Sequence, residues 1–230
     1  MTVRVLILGE GITDVGGYEY NGQWENGCII NLLDKVNEQL KPIYVPIDKR
    51  NLPKTLPMKG KRKFEGHGKN VQKMIIHAQL KGIQYNVIVY YGDTDKDAGT
   101  KNTDLQARRS NEKAYGQTYD AFEFFDKKGI AVIPLRMLES WLLSDENAFL
   151  KAFGQRIKLP RKPENLWGDW HDPNSNHPKR FLQRILDGMG LSGDRQTFCD
   201  LVDCMEIEAL ESLCPISVPP FLQKAREYFV

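Results

Sequence analysis

The run Val87 to Tyr91, VIVYY, constrains this chain more than any other stretch. Five consecutive strand-forming residues without polar alternation, bounded by Asn86 and Gly92, fit a strand buried on both faces of a parallel sheet rather than one arm of a hairpin. The polar turn that follows carries Asp93, Asp95 and Asp97. Two carboxylates about 4 Å apart repel by roughly 4 kcal/mol at an effective dielectric near 20, so a fold that presses them together at a strand end needs protons or a cation. At neutral pH the expected remedy is a hard divalent ion held by oxygens. The plain alternative is a solvated acidic turn.

The same logic applies at the amino terminus. Val3 to Leu8 reads as a second buried strand, and Gly9, Glu10, Gly11, Ile12, Thr13, Asp14 follow it. Beyond a Gly- and Asn-rich loop containing Trp24, Cys28 to Leu40 places Ile29, Leu32, Leu33, Val36 and Leu40 on one helical face, and Pro42 stops it. Ile43 to Ile47 is a short strand. Lys49, Arg50, Lys54, Lys59, Lys61, Arg62, Lys63 and Lys69 then form a basic stretch, with Glu65 the one acid inside it. Pro53, Pro57, Gly60, Gly66 and Gly68 predict a long loop or flap there.

Asn70 to Lys81 predicts a helix closed by Gly82, and Leu105 to Lys128 a longer one with Tyr119, Phe122 and Phe125 facing the core and Gly116 as a candidate break. Ile130 to Leu135 is a third buried strand, followed by Arg136, Met137, Leu138, Glu139, Ser140 and Trp141, with Leu142 to Phe153 continuing as helix. Strands alternating with helices imply an α/β fold, a mostly parallel sheet covered on both faces with right-handed crossovers. In such sheets ligands bind beyond the carboxyl ends of the strands. Glu10, Asp93, Asp95 and Glu139 all follow strand ends and are expected at one edge.

After residue 153 the composition shifts. Pro160, Pro163, Pro173 and Pro178 with Trp167, Trp170 and His171 mark an irregular connector, and helical stretches follow around Phe181 to Leu186, Thr197 to Met205 and Pro219 to Phe229. The expected organisation is an α/β domain over 1–153 and a loop-rich, helical extension over 154–230 packed on it.

A net charge of +2 excludes a uniformly polycationic surface, so affinity for nucleic acid has to come from local clusters such as the basic loop. Cys28, Cys199, Cys204 and Cys214 match no paired zinc-ligand spacing and read as reduced, mostly buried thiols of a cytoplasmic protein. Val3 to Leu8, interrupted by Arg4, is neither a signal peptide nor a membrane span, so no membrane partner is expected.

Glu10 to Asp14 fits an E-G-x-x-D element and Asp93, Thr94, Asp95 a D-x-D element, each after a strand, and in this the chain resembles the Toprim fold of topoisomerases, bacterial primases and nucleases of the overcoming-lysogenization-defect type. Most of the chain also resembles a Toprim-like family of uncharacterised nucleases often encoded beside ABC-type ATPases in anti-phage loci. The shared features are E-G-x-T-[ED] at Glu10 to Asp14, the acid-rich turn Asp93 to Asp97, E-x-x-L-L-x-S-D at Glu139 to Asp145, P-[SK]-[KR] at Pro178, Lys179 and Arg180, and a late Cys-Pro at Cys214 and Pro215 before a final helix. Gly99 lies one residue further from Asp95 than the Toprim pattern has it. Either Asp93 with Asp95 or Asp95 with Asp97 is then the metal pair.

The resemblance implies phosphodiester hydrolysis with Mg2+ or Mn2+. Glu10, Asp93 and Asp95 would hold the ion, with Asp97 in reserve; Glu139 would be a further ligand or the base for the attacking water. Lys179 would stabilise transition-state charge, and Asp14 would orient a ligand. Lys59, Lys61, Arg62, Lys63 and Lys69 would contact the backbone of nucleic acid, DNA in preference to RNA, and an ABC-type ATPase would be a partner. Each has a plainer reading: Glu139 as an acid favoured in a helix's first turn, Lys179 and Arg180 as solvated charges, the basic run as a soluble loop, His171 and His177 as loop packing.

A calcium loop of EF-hand kind fails because Ala98 stands where its glycine belongs and a strand leads in. A D-x-D-x-[TV] phosphatase motif fails because Asp97 takes its last place. The rival to an enzyme is a non-catalytic Toprim-like module that binds nucleic acid or docks on an ATPase.

Overall fold

The structure, a computed structural model, describes residues 2–18, 23–37, 40–55, 62–94 and 103–229. Asp95, Asp97, Lys59 and Lys61 therefore lie outside the described residues. Strand β1 (Arg4–Leu8) leads through a short helix α1 (Ile12–Val15) into an antiparallel hairpin, β2 (Gly16–Tyr18) with β3 (Trp24–Asn26), and then helix α2 (Cys28–Val36). Strand β4 (Ile43–Pro46), helix α3 (Gly66–Leu80), strand β5 (Val87–Tyr91), helix α4 (Asp104–Phe124) and strand β6 (Gly129–Val132) complete the sheet region. The remainder carries six α-helices among the described residues, α5 (Leu138–Leu142), α6 (Glu146–Phe153), α7 (Pro178–Gly188), α8 (Arg195–Cys204), α9 (Ile207–Leu213) and α10 (Val218–Tyr228), with an irregular connector between α6 and α7.

The main sheet is parallel throughout, in the order β4-β1-β5-β6. Strand alternation divides the core in two. Val5, Ile7, Val87, Val89, Tyr91, Ile130 and Val132 face one cluster, packed with α2 and the carboxy-terminal helices; Leu6, Leu8, Ile88, Tyr90, Ala131 and Ile133 face the other, packed with α3 and α4. Burial on both sides is why these strands read as unbroken apolar runs. Trp141 lies against Phe221 with ring centroids 5.7 Å apart, so the carboxy-terminal helices share the core of the sheet's α2 face.

Several local expectations change. Helix α3 begins at Gly66, inside the stretch expected to be irregular, and the glycines read as breakers serve packing instead. A Cβ on Gly68 would stand 2.5 Å from the Gln117 carbonyl oxygen, so α3 and α4 approach closely only without one. Helix α4 runs through Gly116, which is exposed and costs only about 1 kcal/mol against alanine. The helix expected over Leu142 to Phe153 is interrupted, because the Asp145 carboxylate caps α6 by accepting from the Asn147 and Ala148 amides and also holds the Glu206 amide. Helix α9 escaped the pattern, and the Trp24 loop holds the β2–β3 hairpin.

That hairpin is seated by Gly16, at φ +101°, where a Cβ would stand 2.1 Å from the Glu25 carbonyl oxygen. Gly16→Ala is expected to cost about 2 kcal/mol or more in chemical denaturation, since both backbone strain and overlap oppose it. A loss under about 0.5 kcal/mol would contradict this packing.

Candidate active site

Chain order reverses direction in the sheet between β1 and β5: from β1 the chain moves outward to β4, and then recrosses to β5 and β6. At such a switch point the connections leave on opposite faces and open a crevice at the strands' carboxyl ends. Leu8 pairs with Tyr90, so the segments carrying Glu10 and Asp93 emerge side by side. The turn after β5 is then laced to the segment after β6. The Gly92 amide donates to the Val132 carbonyl (3.1 Å), the Thr94 amide to the Arg136 carbonyl (3.2 Å), and the Thr94 hydroxyl to the Leu135 carbonyl (2.6 Å). This lacing delivers Glu139, in the first turn of α5, to the turn that carries Asp93.

Asp14 on α1 and Lys179 in the first turn of α7 complete the group. Lys179 Nζ lies 3.8 Å from Glu139 Oε1, whose side chain is only 12% exposed. Asp14, Glu139 and Lys179 line a cleft of about 320 Å3 with Trp170, Arg180 and Gln183 around them.

Electrostatics record the crowding. Burial, and then the Glu139 charge, raise the Asp93 carboxyl well above the usual range; the Asp14 charge adds to this, while the Tyr91 hydroxyl, which donates to Asp93, and Lys179 oppose it. The Asp14 carboxyl is pushed up to about 7 by burial first, then by Glu139, against the Gly11 amide and Lys179. Tyr91 feels Asp93, Asp14 and Glu139 together, on top of its burial, and its phenol is held far above its ordinary value. Three carboxyls thus share one poorly solvated place where ionising any of them raises the cost of the next.

Glu10 stands apart from this trio. It is the least of the named charges acting on Asp14, and its Oε1 is buried, without a hydrogen bond among the described residues, 3.9 Å from Lys49 Nζ. It does reach the same sheet edge as Asp93, since both charges act on the buried Tyr90 phenol. Of the expected acids, Asp93 and Glu139 come together, Asp14 joins them, and Glu10 acts on Asp14 from the neighbouring groove that it lines.

Among the described residues no three His, Cys, Asp or Glu side chains form a ready metal cage. The donor chemistry nonetheless fits a hard divalent cation: every donor is a carboxylate oxygen, and Asp14 and Asp93 have proton affinities raised by desolvation and mutual repulsion. A bound cation answers the same repulsion as a proton.

The expected nucleic-acid contacts fare unevenly. Lys63 and Lys69 are exposed, but Arg62 is engaged with Asp120 (2.6 Å) and lies over the Phe64 ring (5.0 Å). His177 is buried between Trp167 and Trp170, with centroid separations of 6.1 and 5.4 Å, which is loop packing. Sequence reasoning missed Tyr91 as the donor to Asp93. Arg180, read from the sequence as part of the Pro178 to Arg180 element or as a solvated charge, stacks its guanidinium 4.0 Å from the Trp170 ring, and both line the cleft.

No protein-family model, curated protein or solved structure matches this chain. The cysteines Cys28, Cys199, Cys204 and Cys214 are free thiols, and no helix among the described residues is long and apolar enough to cross a membrane.

Proposed function

We propose that the chain is a Mg2+- or Mn2+-dependent nuclease that hydrolyses DNA, a cytoplasmic Toprim-like enzyme of anti-phage defence working with an ABC-type ATPase. The observation that supports the chemistry is the crowding of Asp14, Asp93 and Glu139 at the switch point beside Lys179. The defence setting and the ATPase rest on the motif resemblance alone.

Asp14 and Asp93 would hold the cation, with Glu10 and the acids of the turn beyond Asp93 as further oxygen donors. When bound, the ion lowers the pKa of a water and neutralises charge growing on the phosphate. Glu139 takes the proton of the attacking water as the water oxygen bonds to phosphorus, one P–O ester bond breaks, and the leaving oxygen takes a proton from solvent water. Lys179, held near Glu139, donates to a phosphate oxygen as negative charge accumulates there. Tyr91 keeps one Asp93 oxygen oriented.

Incubating the purified protein with plasmid and with single-stranded DNA, in Mg2+ or Mn2+ and again in EDTA, tests this. Cleavage that requires the cation is expected. No cleavage with either metal, with or without a partner ATPase, would leave the binding-module reading in its place.

A further inference from the structure

A second groove adjoins the carboxylate cleft, and the two meet at the turn after β1: Gly11 lines both. Its volume is about 380 Å3, within the range of small-ligand sites, roughly 300 to 1,000 Å3. Gly9, Gly11, Gly16 and Gly17 line it, with the charged side chains of Glu10, Asp48, Lys49 and Arg50 around them. Two aromatic rings of the hairpin stand at its side. Tyr18 and Trp24 meet edge to face with centroids 5.1 Å apart; Tyr18 is 68% exposed, and the Trp24 indole N–H is buried with no hydrogen-bond acceptor among the described residues. Lys49 supplies a cation where the groove meets Glu10.

We infer that this groove binds the base of an unpaired nucleotide next to the phosphate held at Asp14, Asp93 and Glu139; the inference rests on the nuclease reading for its neighbouring phosphate. Aromatic faces beside a glycine-rich turn, with the cations Lys49 and Arg50 set among Glu10 and Asp48, are the chemistry of a nucleobase with its phosphate, stacked and sequence-tolerant. A base within a duplex cannot reach the groove without leaving its stack. The substrate class is therefore single-stranded or locally unpaired nucleic acid.

The test is binding without turnover, by fluorescence anisotropy in EDTA and again in Ca2+, using a labelled twelve-nucleotide oligothymidylate, the matching oligouridylate and a duplex of equal length. The unpaired oligonucleotides are expected to bind more tightly than the duplex. Tyr18→Ala and Trp24→Ala are expected to weaken single-strand affinity by about 5- to 100-fold each, with under about 2-fold change for the duplex. Lys49→Ala should lower the salt slope by about one. Should Trp24→Ala fail to fold, Tyr18→Ala, whose side chain is exposed, carries the same expectation. The two single-strand arms show whether the sugar is deoxyribose or ribose. Single-strand affinity unchanged in Tyr18→Ala, or lost equally on duplex, overturns the base site and leaves the nuclease reading intact. Selective loss in a protein that cleaves neither in Mg2+ nor in Mn2+ supports the base site and removes the nuclease reading.

Discussion

Asp93→Asn is expected to lower DNA cleavage by about 10³-fold or more while the protein stays folded. Asparagine keeps the shape of the side chain and an oxygen to accept from the Tyr91 hydroxyl, so the turn laced to Leu135 and Arg136 has no reason to open. What it removes is the negative charge that would help hold a divalent cation where β5 ends. Initial rates on plasmid, circular dichroism and calorimetric titration with Mn2+ check the three parts of the expectation. A variant that cuts like the parent would show that the reaction happens elsewhere.

The second large effect concerns Asp14 and pH in the metal-free protein. Its folded-state pKa, about 7, lies above the unfolded value near 3.8, so the folded chain binds this proton more tightly. The stabilisation this group brings is complete below pH 4 and is lost as pH rises through 7. By linkage that is on the order of 2 to 4 kcal/mol across the window. Asp14→Asn should be more stable than the parent at pH 8, nearly equal to it at pH 4, and its own curve should lack this component. Subtracting the two denaturation curves removes the uncoupled contributions of Asp34, whose carboxyl is also raised, and of Asp48 and Asp194, which are lowered, and leaves Asp14 together with its coupling to Asp93 and Glu139. On the proposed reading Mn2+ raises the parent's stability at pH 8, by about 2.7 kcal/mol at a hundred times its dissociation constant, and leaves Asp14→Asn nearly unmoved. Parallel pH curves for the two proteins would mean that Asp14 is solvated rather than crowded.

Much of the fold was legible because both sheet faces are buried. Val87 to Tyr91, Val5 to Leu8 and Ile130 to Val132 have no polar side to interrupt them, and a continuous apolar run of that length has few other uses. The acids at strand ends were legible for a topological reason, since parallel strands all present their carboxyl ends to one edge. Gly66 and Gly68 misled because glycine marks both chain breaks and close approaches, and the neighbour that decides between them, Gln117 on α4, is distant in sequence, whereas Gly116 is simply an exposed glycine that the long helix tolerates. Asp145 misled likewise: its carboxylate ends one helical run and opens another, and nothing local separates that from a helix passing through.

The order of apolar and acidic stretches by itself determined a parallel sheet with carboxylates at its carboxyl edge, because strand burial and connection handedness follow from local pattern and chain chirality. Which carboxylates meet was decided only in three dimensions. Asp14 joins Asp93 and Glu139, and the Thr94 hydrogen bonds draw the β6–α5 segment toward the turn that carries Asp93. Repulsion between like charges depends on separation and solvation, and neither is written in the spacing of residues along a chain.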